Sequence, residues 1–242
     1  MASTSPAKPA SSGQGKGGNA FVKAYLVAYN VGQMLGWLAL LVIMLSHVFT
    51  KRTVLGLYKQ VEDILLICQT AAVLEILHSM VGLVRSNWLL TAFQVYSRVF
   101  LLWGVIWSVP AASEGVPVVM WFTAWTITEI VRYSFYFFSL LPGEVPYFLV
   151  WFRYTFFILL YPIGVTGELM SIFAALPVVK KTNMYSFDLP NKYNVSFSYF
   201  YYLCFIMVSY LPVFPQLYLH MFSQRKKVLG RRSIEGAQKK DN

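Results

Sequence analysis

Apolar residues run through this chain in six long blocks separated by short polar joints. The blocks cover about residues 25–48, 59–83, 88–109, 116–141, 145–174 and 198–222. Each reaches or exceeds the roughly 20 residues that a helix needs to cross a hydrocarbon core about 30 Å thick. Lipid offers backbone groups no hydrogen-bond partner, so the elements are read as helices and not as open strands. The expected fold is all-α, a polytopic membrane protein with six transmembrane helices. The fifth block is too long for a straight upright span and is expected to tilt, kink or emerge. No internal repeat stands out.

Six Asp, Glu, Lys or Arg residues lie well inside these blocks, away from their ends: Glu75, Arg98, Glu129, Arg132, Arg153 and Glu168. At the centre of a membrane helix each such group costs about 2.5–3.5 kcal/mol even on lenient insertion scales. They are expected to face one another, a water-filled cavity or a substrate, which implies a polar intramembrane pocket enclosed by the helices. Glu129 and Arg132 are three residues apart on the fourth block, close enough to neutralise one another. They are read as a structural ion pair that orients helices, within a polar stripe that includes Tyr133 and Tyr136. Glu75 and His78 have the same spacing on the second block. Arg98 is a candidate partner for Glu75, though no spacing fixes that contact.

Composition sharpens the class. The 242 residues are 57% hydrophobic and only 12% charged, unlike a soluble domain. Cys68 and Cys204 both lie inside apolar blocks, which argues against a disulfide framework. The net charge of +10 would suit a nucleic-acid binder, but the basic residues gather at the ends and in short loops, so no nucleic-acid partner is expected. Residues 1–20, rich in Ser, Gly, Pro and Ala, are expected to form a disordered tail and not a cleavable signal. The membrane domain is then 21–222, followed by a basic tail at 223–242. Six spans put both ends on one side. Outside the spans eleven Lys and Arg fall on that side and six on the other, so both termini are expected in the cytosol. Lys239 and Lys240, third and fourth from the end, resemble the dilysine retrieval signal of the endoplasmic reticulum; a plain solvated basic tail is the alternative. Asn194-Val195-Ser196 fits the glycosylation acceptor pattern on the opposite side, very near the sixth span.

The fifth block carries the most chemistry. Tyr154, Tyr161 and Glu168 are spaced by seven, which is about 20° short of two full helical turns, with a rise of about 10.5 Å per interval. All three are therefore expected on one face, with Gly164 between the phenol and the carboxylate as a notch for substrate. Close helix packing is the alternative for Gly164 and Gly167; simple packing is the alternative for Tyr154, and an ion pair with an intramembrane arginine for Glu168. Pro162 cannot donate to the carbonyl of Ile158, so a kink is expected there. His78-Ser79 with Arg85 has the spacing of a tyrosine phosphatase loop. That chemistry needs a thiolate; position 79 is Ser, and the segment ends an apolar helix. A phosphatase reading is rejected.

Four stretches carry a family resemblance: 125–138 (WTITEIVRYSFYFF), 153–168 (RYTFFILLYPIGVTGE), 189–197 (LPNKYNVSF) and 210–220 (YLPVFPQLYLH). Together they resemble the very-long-chain (3R)-3-hydroxyacyl-CoA dehydratase family, known as protein tyrosine phosphatase-like (PTPLA). Arg85 departs from the Pro common there. The resemblance implies an endoplasmic reticulum enzyme with six spans and cytosolic ends. It performs the third step of very-long-chain fatty acid elongation alongside elongases and reductases. Its catalytic pair falls on Tyr161 and Glu168. The chemistry suits these residues, since removing a weakly acidic α-proton and expelling hydroxide calls for a base and an acid. Glu168 is read as the base and Tyr161 as the donor to the hydroxyl, the reverse being the alternative. Arg153, Tyr154 and Gly164 are expected at the substrate, and membrane lipid around the acyl tail. No metal or cofactor is expected. Arg225, Lys226, Lys227, Arg231 and Arg232 are candidates for the coenzyme A phosphates, against a role in topology and lipid headgroup contact. A non-enzymatic membrane scaffold or a small transporter is the alternative function.

Overall fold

The computed structural model describes residues 16–84, 86–190, 192 and 194–238, with side chains described between residues 20 and 230. Among these the chain forms α1 (Lys16–Lys51), α2 (Leu57–Ala71), α3 (Leu74–Met80), α4 (Trp88–Val99), α5 (Val116–Leu140), α6 (Tyr147–Thr155), α7 (Phe157–Thr182) and α8 (Tyr199–Gln238). α4 runs on as a π-helix over Phe100–Ile106. One antiparallel bridge, Phe187 with Phe197, is the only extended pairing among the described residues.

Local chemistry sets the helix ends. Gly56 takes a left-handed φ of 73° at the start of α2. The Asn87 side chain accepts from the amides of Leu89 and Leu90 at 3.0 and 3.3 Å, satisfying donors that the first turn of α4 leaves free. Pro117 sits in the first turn of α5, where its missing N–H costs nothing. Asn183, at φ 50°, closes α7.

Five helical stretches are long and apolar enough to cross a membrane: Ala20–Lys51, Leu57–Met80, Trp88–Ile106, Phe157–Thr182 and Tyr199–Gly230. This is the build of a multi-pass membrane protein. α5 is not among the five, because Thr126, Thr128, Glu129, Arg132 and Ser134 dilute its apolar content. It is nonetheless the central helix, packed against α1 on one side and α7 on the other. Trp121, Phe122, Thr126, Glu129 and Tyr133 on it are buried.

The fifth block differs in detail from expectation. It divides at Phe156 into α6 and α7, and α7 continues to Thr182 instead of stopping near 174. Ala175 and Val179 extend its buried face past Pro177. The chain also stays helical through Pro162. The Ile158 carbonyl, which Pro162 cannot satisfy, accepts instead from the Tyr218 hydroxyl at 2.9 Å. α8 carries on beyond 222 through the basic run, since Lys, Arg and Gln favour helix once burial no longer decides. α1 begins at Lys16, so the last residues of the expected N-terminal tail are helical; residues 1–15, Arg85, Lys239 and Lys240 lie outside the described residues.

Candidate active site

Four of the six in-span ionisable residues form one chain of ion pairs. Arg98 donates to Glu129 Oε1. Arg132 donates through Nε to Glu129 Oε2 at 2.8 Å. The same guanidinium clamps Glu75 with two bonds, at 2.7 and 3.0 Å. The Tyr133 hydroxyl donates to Glu75 at 2.5 Å, and Tyr29 donates to it at 3.3 Å. Two acids and two arginines thus cancel across α3, α4 and α5. The contact of Arg98 with Glu75 contemplated from sequence is replaced by Arg98 with Glu129, and Arg132 bridges both acids. A fork-shaped guanidinium suits this double role.

Glu168 is outside that chain. Among the described residues it has no ion-pair partner, so the arginine pairing considered as its alternative is absent there. Its two oxygens take neutral donors from two helices: Trp125 Nε1 of α5 reaches Oε1 at 2.8 Å, and the Tyr210 hydroxyl of α8 reaches Oε2 at 2.8 Å. Arg98 lies 5.7 Å from the centre of the Trp125 ring, so the ion chain ends beside this carboxylate without binding it. Tyr161, two turns away on α7, presents its ring to the same helix α8. It stacks on Phe214 with ring centres 5.0 Å apart and on Tyr218 at 5.9 Å.

The other expected site residues are dispersed. Tyr154 and Arg153 belong to α6, on the far side of the Phe156 break from Tyr161. The Arg153 guanidinium lies over the rings of Phe135 and Tyr136 on α5, at 4.6 and 5.0 Å. Gly164 is buried against α5, where a Cβ would stand 3.2 Å from that of Ala124; its notch is filled by helix packing. Gly167 is tighter still, since a Cβ would lie 2.8 Å from the Pro117 carbonyl and the Trp121 amide. Backbone cannot step aside, and overpacking of this kind costs about 1–3 kcal/mol. Gly167→Ala is therefore expected to lower the thermal unfolding midpoint in detergent. Gly164→Ala should lower it less, and Gly32→Ala, with open space around it, not at all.

Neither of the two described cavities is lined by Tyr161, Gly164 or Glu168, around which the pocket is expected. A cavity of about 150 Å³ opens beside the ion chain, lined among others by Tyr29, Asn30, Glu75, His78, Arg132 and Tyr136. The rejected phosphatase loop also has a structural explanation. Ser79 sits inside α3 and donates to the backbone carbonyl of Glu75 at 2.6 Å. Asn194 is exposed in the α7–α8 loop. Among the described residues no group of His, Cys, Asp and Glu is arranged to hold a metal ion. Sequence reasoning missed Trp125 and Tyr210. Both open stretches that carry the family resemblance.

The fold is that of a multi-pass helical membrane protein, with a half-buried carboxylate held by neutral donors between its helices. Residues 69–231 match the family described as Protein tyrosine phosphatase-like protein, PTPLA. The chain is 52% identical over 206 residues to very-long-chain (3R)-3-hydroxyacyl-CoA dehydratase 2 of Homo sapiens, covering 85% of this chain and 81% of that one. It is 46% identical over 209 residues to the hpo-8 dehydratase of Caenorhabditis elegans, covering 86% and 96%. It is 41% identical over 214 residues to PASTICCINO 2 of Arabidopsis thaliana, covering 88% and 96%. The chain belongs to the PTPLA family. No solved structure matches it.

Proposed function

We propose that this protein dehydrates very-long-chain (3R)-3-hydroxyacyl-CoA to the trans-2-enoyl-CoA, the third step of fatty acid elongation. The observation that carries the reading is that Glu168 is held by neutral donors, with no ion-pair partner among the described residues. Glu75 and Glu129 are neutralised by arginines, as a scaffold requires. Glu168 is half-buried and, among the described residues, takes neutral donors only, which leaves a charge with work to do. Glu168 takes the proton from the carbon beside the thioester. Tyr161 gives its phenolic proton to the neighbouring hydroxyl, which leaves as water. The Glu168 proton then restores Tyr161, so each turnover consumes no proton and needs no cofactor.

The same reading supplies the topology. α5 spans as the sixth crossing: its 25 residues rise about 37 Å. Its ends meet opposite ends of the bundle. Glu114, just before it, accepts from the Gly56 amide at the start of α2, while Ser139 and Leu140 line the cavity with Leu26, Val84 and Ser86. The substrate site is an intramembrane pocket at the α5–α7–α8 junction. The acyl tail lies among lipid and helices, and the coenzyme A end remains at the side of Arg225. The Arg225 Nε approaches Thr155 at 3.5 Å, beside Arg153 and Tyr154, which would meet the polar end of the substrate. Gly164 contributes by bringing α7 against α5. The membrane is that of the endoplasmic reticulum, with both termini cytosolic, Asn194 in the lumen as a glycosylation site, and the elongases and reductases of the same cycle as partners.

The direct test is turnover. Purified full-length protein in nanodiscs is expected to convert a 3-hydroxyacyl-CoA of (3R) configuration to the trans-2-enoyl-CoA, read by mass spectrometry. Absence of turnover across acyl lengths, with folded protein, would leave the scaffold or transporter.

A further inference from the structure

The stretch 210–220 carried part of the family resemblance, yet the acid–base pair alone gives it nothing to do. We propose that Tyr210 is a positioning residue of the active site: with Trp125 it holds the Glu168 carboxylate in the orientation from which it takes the α-proton. The proposal rests on the dehydratase reading and adds a third helix to its machinery.

Tyr210, Phe214 and Tyr218 are spaced by four, which puts them along one side of α8. All three touch α7. Tyr210 donates to Glu168 Oε2 at 2.8 Å. Phe214 and Tyr218 stack on the Tyr161 ring, with planes inclined by only 8° and 9°. Tyr218 is held in turn by its bond to the Ile158 carbonyl that Pro162 leaves open. One side of one helix therefore touches both members of the catalytic pair. The opposite side of α8 carries Tyr201 and Phe205, both exposed.

The clamp has the chemistry a base needs. A glutamate side chain has three rotatable bonds, and proton abstraction tolerates little misplacement, about 1 Å costing up to ~100-fold. Donors from α5 and α8 grip opposite oxygens, so neither the tilt nor the rotation of the carboxylate is free. Each oxygen has two lone pairs, and one donor occupies one of them, leaving another to accept the substrate proton. Both donors are neutral and do not cancel the charge that makes the carboxylate a base. Glu75 is a useful contrast: it takes a tyrosine hydroxyl too, but shares it with a bidentate arginine.

Tyr210→Phe in the full-length protein removes one oxygen and keeps the ring. Its kcat is expected to fall about 10–100-fold, from misplacement of the base. KM should change less than about threefold, because no substrate contact is lost. The primary isotope effect with substrate deuterated beside the thioester should rise, as proton abstraction becomes the slower step. Trp125→Phe removes the other donor and should reproduce both signatures, and it carries the test if Tyr210→Phe does not fold. Tyr201→Phe, on the exposed side of α8, should behave as wild type. An unchanged kcat in either clamp variant overturns the proposal. So does a loss of kcat that tracks a lowered unfolding midpoint with an unchanged isotope effect. Wild-type protein without dehydration activity would instead refute the enzymatic reading beneath it.

Discussion

Tyr161→Phe and Glu168→Gln are each expected to abolish dehydration while leaving expression and thermal unfolding near wild type. The structure explains why both variants should be clean. The Tyr161 ring is held by stacking on Phe214 and Tyr218, which Phe preserves. Its hydroxyl makes no hydrogen bond among the described residues, so the fold loses nothing with it. Gln at 168 keeps the shape of Glu: the amide oxygen accepts from Trp125, and the amide nitrogen donates to Tyr210, whose hydroxyl can accept as well as donate. Only the proton-transfer function is removed, and that is typically worth about 10²–10⁴-fold for a positioned acid or base. If, as proposed, the two groups act on one substrate, the double variant should be little worse than the poorer single one. Single-turnover kinetics on the purified variants measures this. If either variant retains most of its rate where chemistry limits turnover, its assigned role is wrong.

Most of the architecture was legible because lipid imposes it. Apolar blocks long enough to span have few alternatives, and the in-span charges announced themselves by their cost. Three things were not legible, each for a physical reason. Partner choice among the charges depends on how helices turn toward one another. Spacing therefore paired Glu129 with Arg132 but did not show that Arg132 also holds Glu75 while Arg98 goes to Glu129. The break at Phe156 was hidden because that residue keeps right-handed helical angles, φ −61° and ψ −26°. No Gly or Pro marks it, and it moves Tyr154 off the helix of Tyr161. The neutral donors to Glu168 were invisible for a different reason. Trp125 and Tyr210 are aromatic residues in aromatic-rich helices, and nothing in composition separates a clamp from a packing ring. Gly164 illustrates the reverse error: a glycine between two functional residues reads as space for a ligand, but here α5 occupies the space.

Glu129→Ala is expected to cause misfolding or rapid degradation instead of a clean catalytic defect. Glu129 lies between the two arginines of the chain, and its side chain accepts from both Arg98 and Arg132. Without it Arg132 still has Glu75, but Arg98 loses its ion-pair partner inside the helix bundle. Breaking one side of a buried pair typically costs about 3–5 kcal/mol, a large share of the roughly 5–15 kcal/mol that keeps a domain folded. The charge arithmetic gives a sharper test than the single variant alone. Arg98→Met together with Glu129→Met removes one cation and one anion, and leaves the bidentate Arg132–Glu75 pair intact. Replacing both members of a buried pair by apolar side chains is often neutral or stabilising. The double variant should therefore recover much of the expression and thermal stability that Glu129→Ala loses. Fluorescence-detected size exclusion and a thermal ramp in detergent read both quantities. If Glu129→Ala is well folded and only its turnover is lost, Glu129 belongs to the catalytic machinery. If the neutral double variant is no better than the single, charge imbalance is not what makes Glu129 necessary.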